Sequence, residues 1–131
     1  MDDSQQRKLI EAYITAYNAF DVGAMLKPLH VDVEFRNIAG GQTTHRATGL
    51  EAFRKLAEAG AAMFAERHQT LRSLSEFRDD ETTGLRATIS YRGTLARDLP
   101  GGPRAGEKIA LGGTTDFSFR DGVIATITDR S

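Results

Sequence analysis

Hydrophobic and polar positions change their period several times along the chain, and each change marks an element. Leu9, Ile10, Tyr13, Ile14, Tyr17 and Phe20 recur at helical spacing and predict a long amphipathic helix running to about Phe20. Asp3, with Gln6 following it, has the form of a capping box at the helix start. Asp21 caps a second, shorter helix with Val22, Met25, Leu26 and Leu29 on one face, and Pro28 limits its length. The period then becomes two. Val31, Val33, Phe35 and Asn37 alternate with Asp32, Glu34, Arg36 and Ile38, which predicts a strand with one apolar face. Gly40-Gly41 marks a turn, and Thr43 to Ala47 a short second strand. Thr48-Gly49-Leu50-Glu51 has the form of another capping box, before a helix with Leu50, Phe53, Leu56, Ala57, Ala61 and Phe64 inward.

From Arg67 onward the pattern predicts four long antiparallel strands. The first carries Leu71, Leu74 and Phe77 and ends in a polar hairpin tip, Asp79-Asp80-Glu81. The second sets Leu85, Ala87, Ile89 and Tyr91 against Arg86, Thr88, Ser90 and Arg92. A loop rich in turn formers, Asp98 to Gly106, precedes the third, with Ile109, Leu111, Gly113, Thr115, Phe117 and Phe119 on one side. Asp121-Gly122 is a hairpin signal, and Val123 to Asp129 the closing strand. Helices followed mostly by strands predict a single α+β domain over residues 1–131. Its form is a cone, a curved antiparallel sheet wrapped around three N-terminal helices, with a pocket at the open end.

Composition narrows the function classes. A chain of 131 residues that is 40% hydrophobic can bury a core without disulfides or a structural metal. It has no cysteine, which removes thiolate ligands and cysteine nucleophiles. The net charge is −1 with both signs interspersed, so neither nucleic acid nor an anionic membrane surface is an expected partner. No stretch approaches the ~18 apolar residues of a membrane span. The polar, acidic start Met1-Asp2-Asp3-Ser4 is unlike a signal peptide, which points to the cytoplasm.

Four local stretches, in order, resemble the nuclear transport factor 2-like superfamily, which includes ketosteroid isomerase and the SnoaL-like polyketide cyclases. Tyr17-Asn18-Ala19-Phe20-Asp21-Val22 is similar to that family's turn between its first two helices. Leu29-His30-Val31-Asp32-Val33-Glu34-Phe35 is similar to its passage from second helix to first strand, and Thr48-Gly49-Leu50-Glu51-Ala52-Phe53 to the opening of its third helix. Phe117-Ser118-Phe119-Arg120-Asp121-Gly122-Val123-Ile124 is similar to its last hairpin. The resemblance implies a cone that holds a small, largely apolar molecule with a polar group, and a homodimer through the convex sheet face. That face would carry Thr114, Asp116 and Ser118 with Arg86, Thr88, Ser90 and Arg92.

Ketosteroid isomerase abstracts a proton beside a carbonyl with an aspartate base, while a tyrosine and a protonated aspartic acid stabilise the enolate. Tyr13 matches the tyrosine, whereas the base position falls on Asn37, an amide that cannot accept a proton at neutral pH. The second acid falls on Thr115, with Asp116 on the opposite face unless a bulge at Gly112-Gly113 turns it inward. Tyr13, Asn37 and Asp116 are thus the catalytic candidates, and Tyr17, Phe53, Leu56, Ile89, Tyr91, Thr115 and Phe117 the ligand-lining ones. Each has a plainer role: Tyr13 as a core tyrosine, Asn37 as a strut, Asp116 as a surface or interface group, and the apolar residues as core. Asp129 shares alternation with Val123, Ala125 and Ile127 but is the third residue from the C-terminal end, where a solvated role is the default. His30, His45 and His68 lack metal-ligand spacing, and neither metal nor cofactor is expected. Two classes of function remain. One is a non-catalytic small-molecule pocket protein. The other is an isomerase, cyclase or hydratase/epoxide hydrolase working by proton transfer on a carbonyl or epoxide. The shortage of inward ionisable groups favours the first.

Overall fold

The computed structural model describes residues 1–79 and 82–131; Asp80 and Glu81 of the expected hairpin tip lie outside the described residues. Three helices, α1 (Asp3–Asn18), α2 (Val22–Leu26) and α3 (Leu50–Ala62), pack on six strands. These are β1 (Leu29–Ala39), β2 (Gln42–Thr48), β3 (Phe64–Asp79), β4 (Thr82–Leu95), β5 (Lys108–Arg120) and β6 (Val123–Arg130). The order across the sheet is β2-β1-β6-β5-β4-β3. The architecture is α+β with a curved sheet, as the hydrophobic pattern predicts. Pairing is antiparallel except that β1 and β6 run parallel.

The helix starts differ from the sequence reading. The capping box of α1 is Asp2 with Gln5: the Gln5 amide donates to Asp2 Oδ1 at 2.8 Å and the Asp2 amide to Gln5 Oε1 at 3.1 Å. Either acid can supply the oxygen, and the chain uses the earlier one. At α3 the second expected capping box is absent. Gly49 is the N-cap, with φ of 88° and no side-chain bond, because the backbone there takes a left-handed turn that disfavours Thr or Ser. Asp21 caps α2 as expected, accepting from the Ala24 amide at 3.0 Å. That helix stops at Leu26, so Leu29 belongs to β1.

Two bulges reset the strand pattern. Between Leu71 and Ser73 the β3–β4 register skips Arg72, which lets Leu71 and Leu74 share the inner face despite their spacing. Phe77, paired with Gly84, falls on the outer face instead, below the Arg86 guanidinium at 5.6 Å. In β6 the register skips Ala125, so Ile124 and Ile127 both enter the core, each with 0% exposure. They join Ile10, Tyr13, Val33, Phe53, Ala87 and Phe117 in one cluster between the sheet and α1 and α3. The closing hairpin turns through Asp121 (φ 56°) and Gly122 (φ 79°), the backbone of a type I′ turn. Val31, expected inward, is exposed although Leu29 and Val33 are buried, and the β1–β6 register is irregular between Leu29 and Glu34. Among the described residues, no helix is long and apolar enough to cross a membrane.

Candidate functional site

One row across the inner face of the sheet carries the polar chemistry of the core. Cα register aligns Asn37 of β1 with Asp129 of β6, Asp129 with Thr115 of β5, and Thr115 with Ala87 of β4. The Ala125 bulge sets this alignment, since it fixes the face on which Ile127 and then Asp129 point. Thr115 is buried, and its hydroxyl donates to Asp129 Oδ1 at 2.7 Å. Burial pushes the Asp129 carboxyl up to about 6, and the Thr115 hydrogen bond acts weakly the other way. A carboxylic acid titrating there exchanges its proton close to neutral pH.

Tyr13 faces this row from α1. It is buried, with its ring 6.3 Å from that of Phe53 and 5.9 Å from that of Phe117, the latter edge-on. Burial raises its hydroxyl well above the usual tyrosine range, and the negative charge of Asp129 raises it further. Tyr13 therefore stays protonated, a hydrogen-bond donor in the electrostatic field of a titrating acid. Around the pair, Phe53, Ile89 and Phe117 are buried and Leu56 half-buried. Phe35 closes the far side, its ring 5.7 Å from that of Phe53. Tyr17 and Tyr91 lie further along, their ring centroids 6.3 Å apart.

Two catalytic candidates are placed differently. Asn37 shares the inner row, but its amide is engaged by the edge strand: Nδ2 donates to Thr44 Oγ1 at 2.8 Å, and that hydroxyl reaches back to the Asn37 carbonyl at 3.3 Å. Thr44 is the residue that the β1–β2 register skips, and the bulge presents it to Asn37. Asp116 is on the outer face, and its candidacy as a proton carrier in the cone is corrected. Regular alternation runs through Gly112 and Gly113 in the β4–β5 pairing, so the side chain is never turned inward. There Asp116 accepts from Arg86 Nε at 2.7 Å and Nη2 at 3.0 Å, and also from Arg130 Nη1. Burial opposes its ionisation, but the hydrogen bonds from Arg86 and then Arg130 outweigh it and hold the carboxyl below the ordinary range. A surface cavity of about 370 Å³ beside it, lined by Glu34, Arg36, Thr128 and Arg130 among others, opens on this outer face.

Asp129 is the residue that sequence reasoning passed over. Its signal was the alternation with Ile127 on an apolar strand; nearness to Ser131 argued against it. Among the described residues, no three His, Cys, Asp or Glu side chains are grouped to hold a metal ion.

A half-buried acid on the inner face of the curved sheet, opposite a buried tyrosine on α1, marks this α+β fold. The family comparison then names it: the SnoaL-like domain matches residues 10–127, and the chain belongs to that family. Solved structures agree in fold. A Xanthomonas campestris protein, provisionally assigned as a polyketide cyclase, is 28% identical, with a TM-score of 0.73 over 98% of this chain and 90% of that one. TsrD from Streptomyces laurentii is 22% identical, with a TM-score of 0.77 over 98% and 89%. A Catenulispora acidiphila protein with a ketosteroid isomerase-like fold, solved with trimethylamine, is 20% identical, with a TM-score of 0.69 over 93% and 83%. Comparison with curated proteins finds no match.

Proposed function

We infer that the protein binds a small, largely apolar carbonyl compound in the cone and moves a proton at the carbon beside that carbonyl. The observation that carries this reading is the Asp129 carboxyl, held by Thr115 inside the cone and titrating at about 6. The sequence pattern showed a shortage of inward ionisable groups and so favoured a pocket without chemistry. Asp129 supplies the missing group.

In the forward step the ionised Asp129 takes the proton from the α-carbon. The C–H bond breaks, and its electron pair moves into the carbonyl to give an enolate. The Tyr13 hydroxyl donates to that oxygen, where an uncharged donor in a low-dielectric site is most effective. The protonated Asp129 then returns the proton to the same or a conjugated carbon, giving isomerisation. For ring closure the enolate carbon instead bonds to a second carbonyl carbon of the ligand, the C=O π pair becomes an alkoxide, and that oxygen takes the proton. Phe53, Leu56, Ile89 and Phe117 form apolar walls. Asn37, committed to Thr44, holds the strand beside the acid.

Proton exchange tests the reading without knowledge of the natural product. A panel of cyclic ketones and β-diketones is incubated in deuterated buffer, and loss of the α-proton signal is followed by NMR. Exchange above background that disappears in Asp129→Asn and falls in Tyr13→Phe is the expected result. Ligands that shift resonances of the cone yet exchange at the background rate would overturn the catalytic part and leave a binding protein.

A further inference from the structure

Among the described residues two buried side-chain atoms, Arg67 Nη2 and the Tyr91 hydroxyl oxygen, lack a partner in hydrogen-bond geometry, and they belong to one cluster. Arg67 of β3 is only 7% exposed. Its Nε donates to the Tyr17 carbonyl at 3.1 Å, serving the C-terminal end of α1. Its guanidinium lies 3.7 Å above the Tyr17 ring and 4.6 Å from that of Phe20. Its Nη2, however, is buried without a hydrogen bond. Among the described residues Arg67 forms no ion pair. The second is the Tyr91 hydroxyl, which meets no partner in good hydrogen-bond geometry, although the Tyr17 hydroxyl stands close enough to add to the rise in pKa that burial causes. The Tyr17 ring touches both groups, and that of Phe64 stands 5.8 Å from Tyr91 on another side. In the β3–β4 register Gln69 pairs with Tyr91 and Arg67 with Gly93. Arg67 and Tyr91 are thus diagonal neighbours on the inner face, roughly 7 Å apart at Cβ.

A desolvated guanidinium is costly without a counter-charge, and aromatic faces offset only about 2 kcal/mol of that. Each unmet buried donor adds about 1–3 kcal/mol. A neutral carbonyl would satisfy one donor and leave the charge. A carboxylate satisfies both: one oxygen accepts from Nη2, the other from the Tyr91 hydroxyl, and the charge is neutralised. We propose that Arg67 and Tyr91 form the subsite for a carboxylate carried by the ligand of the cone, so that the substrate is an elongated apolar acid. This rests on the reading of the cone as the binding site. Tyr91 lies four residues along β4 from Ala87, the β4 member of the Asp129 row, which is roughly 13 Å of strand. The carboxylate and the carbon that loses its proton therefore sit at opposite ends of a molecule about two rings long.

Biphenyl-4-carboxylate and the neutral ketone 4-acetylbiphenyl have nearly equal length and separate the two readings. Each is titrated calorimetrically into the full chain at neutral pH. The carboxylate is expected to bind about tenfold tighter, the effect of one charge-assisted hydrogen bond. Tyr91→Phe and Arg67→Met should each abolish that preference, bringing the two probes to equal affinity. Tyr91→Phe should also change the thermal midpoint little, since among the described residues the hydroxyl has no well-formed hydrogen bond and only the Tyr17 hydroxyl near it; it decides the matter alone if Arg67→Met does not fold. Equal affinity for the two probes, or a preference that survives both variants, overturns the carboxylate subsite and leaves the cone. Binding of neither probe overturns both readings. A preference that persists in Asp129→Asn supports the subsite independently of proton transfer.

Discussion

Replacing Asp129 by Asn makes the energetic cost of the proposed site measurable without any substrate. The folded-state carboxyl titrates at about 6 against an ordinary 3.8. Between those values the folded chain binds a proton that the unfolded chain has released, so stability falls as pH rises through that window. Above about pH 6 the full penalty is in place. A displacement of roughly two, at about 1.4 kcal/mol each, corresponds to at most about 3 kcal/mol. Asp129 is partly accessible, which brings the expected figure nearer 2 kcal/mol. The amide of Asn has no charge to desolvate and still accepts from the Thr115 hydroxyl, so the local hydrogen bond survives. Urea unfolding followed by circular dichroism, from pH 4 to pH 8, gives the comparison. Asp129→Asn should be more stable than the parent by about 2 kcal/mol at pH 8, with the gap closing towards pH 4. Parallel stability curves, or a variant weaker at pH 8, would show that Asp129 is not a desolvated acid and would remove the basis of the mechanism.

Other expectations follow from the same geometry. Thr115→Val removes the hydrogen bond that lowers Asp129, so carboxyl NMR should find its titration midpoint above about 6; an unchanged or lower midpoint would contradict the pairing. Phe53→Ala empties the contact with both Tyr13 and Phe35 and should cost about 3–5 kcal/mol in urea unfolding. Asp116→Asn leaves Arg86 and Arg130 without their anion and should cost about 1–2 kcal/mol, since both arginines are partly solvated. Ketone α-proton exchange should be unchanged in that variant, because Asp116 lies on the other side of the sheet. The outer face around Asp116 is also where a second copy of the chain is expected to pack, and light scattering showing only monomer at micromolar concentration would refute that.

The order and type of the elements were legible because period and turn chemistry are local. The α1 stripe, the Pro28 limit and the Asp121-Gly122 turn needed no tertiary information. The site was harder to read, because faces in a strand depend on single-residue shifts. Leu71 and Leu74 look out of phase until Arg72 is lifted out of register, and Ile124 and Ile127 until Ala125 is. No bulge interrupts the pairing at Gly112-Gly113, so Asp116 keeps the face opposite to Thr115 that simple alternation gives it, while Asp129 lies on the inner row with Asn37 and Thr115. No bulge of this kind carries a strong residue signature, since the extra residue is chosen by the partner strand's pairing rather than by its own side chain. The Arg67 stack on Tyr17 was invisible for a related reason: it joins residues fifty positions apart.

The parallel seam between β1 and β6 has a consequence for assembly. In the strand order β6 stands between the β2-β1 pair and the β5-β4-β3 meander, and it is the bridge between them. The meander can form by successive hairpins, but β1 must wait for a strand whose paired residues lie more than ninety positions away (Asn37 with Asp129, for example), a distant partner of the kind that slows folding. The two halves of the sheet therefore become one only when Val123–Arg130 docks. That same segment brings Asp129, so closure of the barrel-like wall and arrival of the acid are a single event. Under the proposed mechanism, a chain that has failed to finish folding therefore also lacks its proton carrier.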